Sequence, residues 1–178
     1  MKLHILEHTP YNLSLVKGMQ DVVIEQVAPE VFYPAGELDW ELYFSGKGTI
    51  LLAEVDDVPA GYAISIIGED AIGELLHITN EMAVRFDIPT KDLMWLDATL
   101  VMPGFRGRGL QVEMCSRLEE MARDKGSKGA LAIVSPVNQF SLNNFIHRGY
   151  EVVDEVEMFG GLPRLVLYCP LTTTSATE

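Results

Sequence analysis

The chain has 178 residues, 48% of them apolar and 22% charged, and 13 basic against 26 acidic side chains give it a formal net charge of −13. That length suits a single domain with a sizeable core, and the acidity disfavours nucleic acid and anionic membranes as partners, because no local basic patch interrupts it. The longest apolar runs fall far below the ~20 residues of a membrane span, and residues 1–5 lack the long apolar core of a signal peptide, so a cytoplasmic protein is expected.

Residues 2–7 alternate as a strand does, after which Thr9 can cap and Pro10 can open a helix with Leu13, Val16, Val23 and Val27 on its apolar face. Beyond the break at Pro34, residues 37–44 suit a shorter helix. Residues 49–55 and 60–67 are β-branched and apolar, and Asp56-Asp57-Val58-Pro59 between them marks the turn of a hairpin. In the stretch 71–90, helical spacing runs from Glu74 through Val84 and Pro89 limits it. The apolar run 94–101 suits a strand, and from Gly109 a helix carries Leu110, Met114, Leu118 and Met121 at intervals of three or four until Gly126 ends it. Residues 130–134 suit a buried strand, and Ser135-Pro136-Val137-Asn138 opens a helix that closes at Gly149-Tyr150. Residues 151–159 and 164–169 read as two strands around Gly160-Gly161-Leu162-Pro163, and 172–178 is a polar tail expected to be disordered. The expected order is β, α, α, β, β, α, β, α, β, α, β, β, in one domain over residues 1–171. Cys115 and Cys169 form neither a disulfide framework nor a metal cluster, and His4, His8, His77 and His147 have no ligand spacing, so no metal is expected.

The segment Val101-Met102-Pro103-Gly104-Phe105-Arg106-Gly107-Arg108-Gly109-Leu110-Gln111 joins a strand to a helix through a glycine-rich turn. A helix start leaves backbone N–H groups unpaired at the positive end of the macrodipole, and glycines let a bulky anion approach them. Arg106 and Arg108 add two cations, making a candidate cradle for a pyrophosphate. A P-loop would need Lys and then Ser or Thr after its last glycine, whereas Leu110 and Gln111 follow Gly109. A dinucleotide fingerprint would need glycine where Val112 stands, and an acid at a strand end about 20 residues on, where 125–129 is a polar loop. The alternative is a glycine turn that binds nothing.

What remains, an arginine, two residues, a glycine, one residue and a small-residue position after strand-Pro, resembles motif A of the GCN5-related N-acetyltransferase (GNAT) superfamily. Asn138, Ser141, Asn143, Asn144 and Gly149-Tyr150 resemble its motif B, an asparagine, a small residue three later and a closing glycine-aromatic pair. The resemblance is specific over residues 93–150 and looser over nearly the whole chain. It implies an α/β fold, a mixed and mostly antiparallel sheet with helices on both faces. It also implies transfer of an acetyl group from acetyl-CoA to a primary amine by direct attack, with no covalent enzyme intermediate. In that reading the backbone of Leu100 and Val101 pairs with the pantetheine arm. The N–H groups of Arg106, Gly107, Arg108, Gly109, Leu110 and Gln111 hold the pyrophosphate, and Asn138 and Ser141 adjoin the cofactor. The acceptor, a small amine, an antibiotic, an amino acid or a protein terminus, stays open, as does a homodimer. The acidic field would favour cationic amines, although acidity also serves solubility alone.

The chain departs from the resembled pattern at two positions. Phe145 stands where a tyrosine usually protonates the leaving thiolate. Water, His147 or another tyrosine would then serve, or the chain is a catalytically weak acyl-CoA-binding module. Gln111 stands where glycine or alanine is usual, tolerable if its side chain points away, since the contacts there are main-chain. For a base, Asp97 is the one ionisable group in the strand feeding the turn, and alternation groups it with Trp95, Thr99 and Val101. The alternative for Asp97 is a strand carboxylate hydrogen-bonded to a neighbouring loop. Phe32, Trp40 and Tyr43 either line the acceptor pocket or belong to the core.

Overall fold

In the computed structural model, residues 1–171 are described, and the tail expected over 172–178 lies outside them. Strand β1 (Lys2–Ile5) leads to α1 (Pro10–Ile24), whose start is fixed by Pro10 and by Thr9, which accepts the Asn12 N–H at 3.2 Å. Val16, Met19 and Val23 are the buried apolar residues of α1, and Val27 packs on the core from the loop beyond. The next helix, α2 (Glu37–Leu42), is shorter than expected because the chain widens into a π-type turn over Tyr43–Lys47, which closes on Gly46 at φ 95°. Strands β2 (Thr49–Val55) and β3 (Val58–Ile67) form the hairpin, and β3 begins two residues before the expected start at Ala60. Only Asp56 and Asp57 make the turn, both at positive φ (54° and 62°), the geometry that matches the twist of paired strands.

The middle stretch is helix α3 (Gly73–Phe86), closed by Asp87 in the left-handed region at φ 53°. Then follow β4 (Leu93–Val101), α4 (Leu110–Asp124), β5 (Gly129–Val134), α5 (Gln139–His147), β6 (Glu151–Met158) and β7 (Leu162–Pro170). The seven strands form one sheet in the order β1-β2-β3-β4-β5-β7-β6, antiparallel throughout except for β4 beside β5. One face is covered by the first three helices, through Val16, Met19, Trp40, Ile78 and Met82 against Ile50, Tyr62, Trp95 and Val166. The other face carries α4 and α5, through Met114, Leu118 and Phe145 against Ala63, Met94, Leu96 and Leu167.

Two irregularities in β4 shape everything that follows. Against β3, Ile64 pairs with Ala98 and Ser65 with Leu96, so Asp97 is an extra residue, a β-bulge. Against β5, pairing covers only Leu93–Leu96 with Gly129–Ala132, after which β5 stays with β7 as far as Val134 opposite Leu165. Strands β4 and β5 therefore part at their C-terminal ends, and the cleft opens beneath the starts of α4 and α5.

Candidate functional site

The turn at the top of β4 is built as a donor array. Met102 gives its N–H to Ala60 O at 2.8 Å, Pro103–Phe105 forms a 3₁₀ turn, and Gly107 and Gly109 take φ of 75° and 74°. Positive φ at both positions aims successive amides the same way, which a residue with a Cβ resists. Helix α4 has no side-chain cap, and its first amide bonded within the chain is Glu113 N–H, to Gly109 O at 3.1 Å. Among the described residues, the N–H groups of residues 107–112 have no partner in the chain. The amide of Arg106 does have one, Pro103 O at 3.5 Å, so the unpartnered run begins one residue later than the expected 106–111 and extends to Val112. The Arg106 and Arg108 side chains are exposed beside it, Arg108 with its guanidinium 5.4 Å from the centre of the Phe105 ring.

Along the cleft, Val101 and Leu100 behave differently. Leu100 pairs with Tyr62, and a Cβ added to Gly61 would meet Leu100 O at 2.6 Å, so that carbonyl is turned toward β3. Antiparallel alternation, anchored by Met102 N–H on Ala60, then turns the main-chain groups of Val101 and Thr99 toward the open edge. Leu100 is thus turned toward β3 within the sheet, and Thr99, where Leu100 is expected, shares the open edge with Val101. No sequence pattern reveals this, because the parity is set by the register with another strand.

Asn138 caps α5, accepting the Ser141 N–H at 3.2 Å. Gln111 does not point away from the site. Its Nε2 donates to Ser141 Oγ at 2.8 Å and its Oε1 accepts from Asn144 Nδ2 at 2.7 Å, tying the first turn of α4 to the first two turns of α5. The side chain that replaces a glycine or alanine is therefore a clasp between the two motifs. Ser141 accepts from that clasp, and among the described residues its hydroxyl hydrogen has no acceptor.

On the other face, Tyr43 is buried and donates its hydroxyl to Asp97 Oδ2 at 2.6 Å. Tyr43 belongs to the turn after α2, so Asp97 is bonded to a neighbouring segment. Asp97 shares its face with Trp95, but not with Thr99 and Val101. The bulge moves those two to the α4 side, where Thr99 Oγ1 lies 3.5 Å from Cys115 Sγ. Burial pushes the Asp97 carboxyl up to about 6, the hydrogen bond from Tyr43 works against that, and Asp39 adds to it. Burial, and after it Asp97, raises the Tyr43 hydroxyl well above the usual phenol range. Tyr62 is wholly buried nearby, its ring 6.3 Å from that of Trp40, and its hydroxyl has no partner among the described residues. Burial and then Asp21 raise it too. The ionised neighbours felt by these three groups, Asp21, Asp39 and Asp97, are all acids.

The raised carboxyl makes Asp97 a measurable load on the fold. Its native pKa, about 6, lies above the ordinary 3.8, so its stabilising contribution is complete below pH 4 and is lost as pH rises through 6. Half-buried as it is, Asp97 costs the fold at most roughly 3 kcal/mol once ionised. Urea melts of Asp97→Asn are expected to show greater stability than wild type at pH 7.5 and no advantage at pH 4.

The remaining expected residues fall in the core or away from the mouth of α4. Phe145 is buried edge-on against Tyr150, ring centres 4.9 Å apart, with the Arg148 guanidinium 5.6 Å from both rings. Arg148 and the Tyr150 hydroxyl both hold Glu119, which makes this corner a packed ionic knot. His147, in the last turn of α5, is exposed and bonded to Asn143 O at 2.7 Å. Trp40 is core, and Phe32 packs against it from the α1–α2 loop. Sequence reasoning missed the fastening of that loop: Ser135 and Arg164 both bond Glu30 O, Arg164 also reaches Pro29 O at 3.1 Å, and Tyr33 stacks on Phe159 at 4.1 Å. The loop is thereby fastened to the end of β5, to β7 and to the turn between β6 and β7. Among the described residues, no group of three or more His, Cys, Asp or Glu could hold a metal ion, and no helix is long and apolar enough to cross a membrane.

With this geometry in view, comparison with known proteins is specific. The model of the acetyltransferase (GNAT) family matches residues 19–150. No curated protein matches the sequence. Among solved structures, yncA of Salmonella typhimurium, determined with its cofactor acetyl-CoA, is 15% identical with a TM-score of 0.70, covering 100% of this chain and 98% of that one. The aminoglycoside acetyltransferase AAC(6')-Ib with coenzyme A and kanamycin is 15% identical with a TM-score of 0.69, over 95% of this chain and 94% of that one. The ribosomal-protein-S18-alanine N-acetyltransferase of Escherichia coli is 11% identical with a TM-score of 0.68, over 99% and 97%. At these identities the structures share the fold.

Proposed function

Because the chain belongs to the acetyltransferase (GNAT) family, we propose that it transfers the acetyl group of acetyl-CoA to a primary amine by direct attack. The observation that carries this reading is the run of unpartnered amides over residues 107–112, at the head of the cleft between β4 and β5. Six N–H donors at the positive end of a helix, with Arg106 and Arg108 beside them, suit the pyrophosphate of CoA in a chain that is otherwise acidic. From there the pantetheine arm runs along the open edge of β4 past Val101 and Thr99, with Asn138 and Ser141 on its other flank.

The acceptor approaches from the α1–α2 face, where Asp97 serves as base. Its carboxylate, ionised above a pH of about 6, takes a proton from the ammonium directly or through a water. The freed amine attacks the thioester carbonyl carbon, the oxyanion is stabilised by main-chain donors, and as the nitrogen gives up a further proton to solvent the C–S bond breaks, leaving the amide and CoA thiolate. Phe145 cannot protonate that thiolate, so solvent supplies the proton. The acids Asp21, Asp39 and Asp97 around Tyr43 and Tyr62 favour a cationic acceptor. One structural neighbour was solved with kanamycin, which keeps aminoglycosides among the candidates.

The second reading, a module that binds acyl-CoA without turnover, is favoured by Phe145 alone. A screen of amines scored by free-thiol release separates the two. Steady release with at least one amine supports the enzyme, and CoA binding with no release from any acceptor supports the module.

A further inference from the structure

Strand β6 is last in the sheet order, two strands beyond β5, so one of its edges faces no other strand. On that edge the Val153 carbonyl accepts from Arg85 Nη1, in the last turn of α3, at 2.6 Å, and the Glu155 amide donates to Asp154 Oδ1 at 2.8 Å. Glu157 stands opposite Pro163 of β7, which has no N–H to give it. Alternation therefore turns the main-chain groups of Val153, Glu155 and Glu157 outward, away from β7. Beside this edge a groove of about 550 Å³ separates β6 from α3. Its lining is mostly apolar and includes the buried Met82 and Val84, which is 85% exposed.

Charge decides what can lie there. Strand β6 carries Glu151, Asp154, Glu155 and Glu157, all exposed, and no base, and among the described residues none of the four is in an ion pair. Glu81 adds a fifth acid from the α3 side of the groove. A second copy of β6 laid on this edge would set acids against acids, which is destabilising and keeps copies apart. A strand with lysine or arginine at alternate positions meets the opposite case.

We infer that the β6 edge and the α3 groove form a docking site for an extended basic segment of a partner protein, which joins the seven-stranded sheet as a further strand. Its main chain pairs with the outward groups of Glu155 and Glu157, once the exposed Asp154 side chain swings off the Glu155 amide. Arg85 keeps the Val153 carbonyl and so sets where the pairing stops. Alternate cationic side chains meet the β6 acids, and the apolar ones between them enter the groove beside Val84. The inference does not depend on the acetyl-transfer reading.

The test titrates the full chain into a fluorescent peptide, Lys-Val-Lys-Val-Lys-Val-Lys, and reads anisotropy. Saturable binding is expected, weakened about tenfold or more when the peptide backbone is N-methylated throughout, which keeps its charge and removes its amide donors. The paired substitution Glu155→Lys with Glu157→Lys, both at exposed positions, is expected to cost about tenfold or more and to admit the acidic peptide Glu-Val-Glu-Val-Glu-Val-Glu instead. In a ¹H–¹⁵N spectrum the basic peptide is expected to move the amides of Val84, Val153, Glu155 and Glu157. No binding at millimolar peptide, shifts centred elsewhere, or equal affinity for the N-methylated peptide overturns the site, the last because charge attraction alone would then suffice. A concentration-dependent dimer in light scattering that Val84→Asp abolishes also overturns it, since a second copy of the chain would then fill the groove.

Discussion

Replacing Gly109 with valine is expected to weaken CoA binding at least a hundredfold by titration calorimetry, with little change in the rest of the fold. Gly109 holds φ 74°, where a β-branched residue is strained, and nothing lies within 4 Å of the Cβ it would gain. The new side chain would thus fill open space, the space where the donor array of residues 107–112 converges. Each charge-assisted hydrogen bond lost there is worth about 1.5–3 kcal/mol, and two such losses exceed the roughly 2.8 kcal/mol that corresponds to a hundredfold. Gly104→Ala is the control. Gly104 lies in the same turn, also has open space around its Cβ, and takes no positive φ, so near-normal affinity is expected. Equal losses from both substitutions would mean that the turn matters for folding and not for anion contact.

Asp97→Asn is expected to lower kcat/KM on the order of a hundredfold or more, the usual worth of a positioned base, and to flatten the acidic limb of its pH profile. The sign follows from the environment of the carboxyl. Burial raises its pKa to about 6 and the hydrogen bond from Tyr43 pulls it down, so wild-type activity rises as pH passes upward through about 6. Tyr43→Phe removes the lowering partner and is expected to move that limb to higher pH without abolishing turnover. A limb that stays in place in both variants would reject Asp97 as the base.

The order of the elements was legible because each has its own local signal. Thr9-Pro10 opens α1, the Leu110, Met114 and Leu118 spacing runs along α4, and Asn138 caps α5. The glycine turn was legible for the same reason, since helix-start amides and positive φ belong to one short segment. What failed to show depends on partners distant in sequence. The bulge at Asp97 arises from how β4 registers against Ile64 and Ser65, and it breaks the alternation that grouped Asp97 with Thr99 and Val101. The same register turns Leu100 inward. Gln111 looked like a tolerated intruder because its partners, Ser141 and Asn144, lie 30 and 33 residues away. The α1–α2 loop gave no hint of its anchorage either, since Glu30 and Pro29 bond through their carbonyls, groups every residue has.

The most direct measurement is a ¹H–¹⁵N correlation spectrum of the uniformly labelled chain titrated with CoA. Among the described residues the amides of 107–112 have no partner, whereas the Arg106 amide already bonds Pro103 O. The expected result is large saturable shifts concentrated on residues 107–112, with smaller ones at Thr99 and Val101 and little change at Arg106. Shifts centred anywhere else, or a spectrum unmoved by millimolar CoA, would contradict the assignment of this helix mouth as the site that holds the acetyl donor.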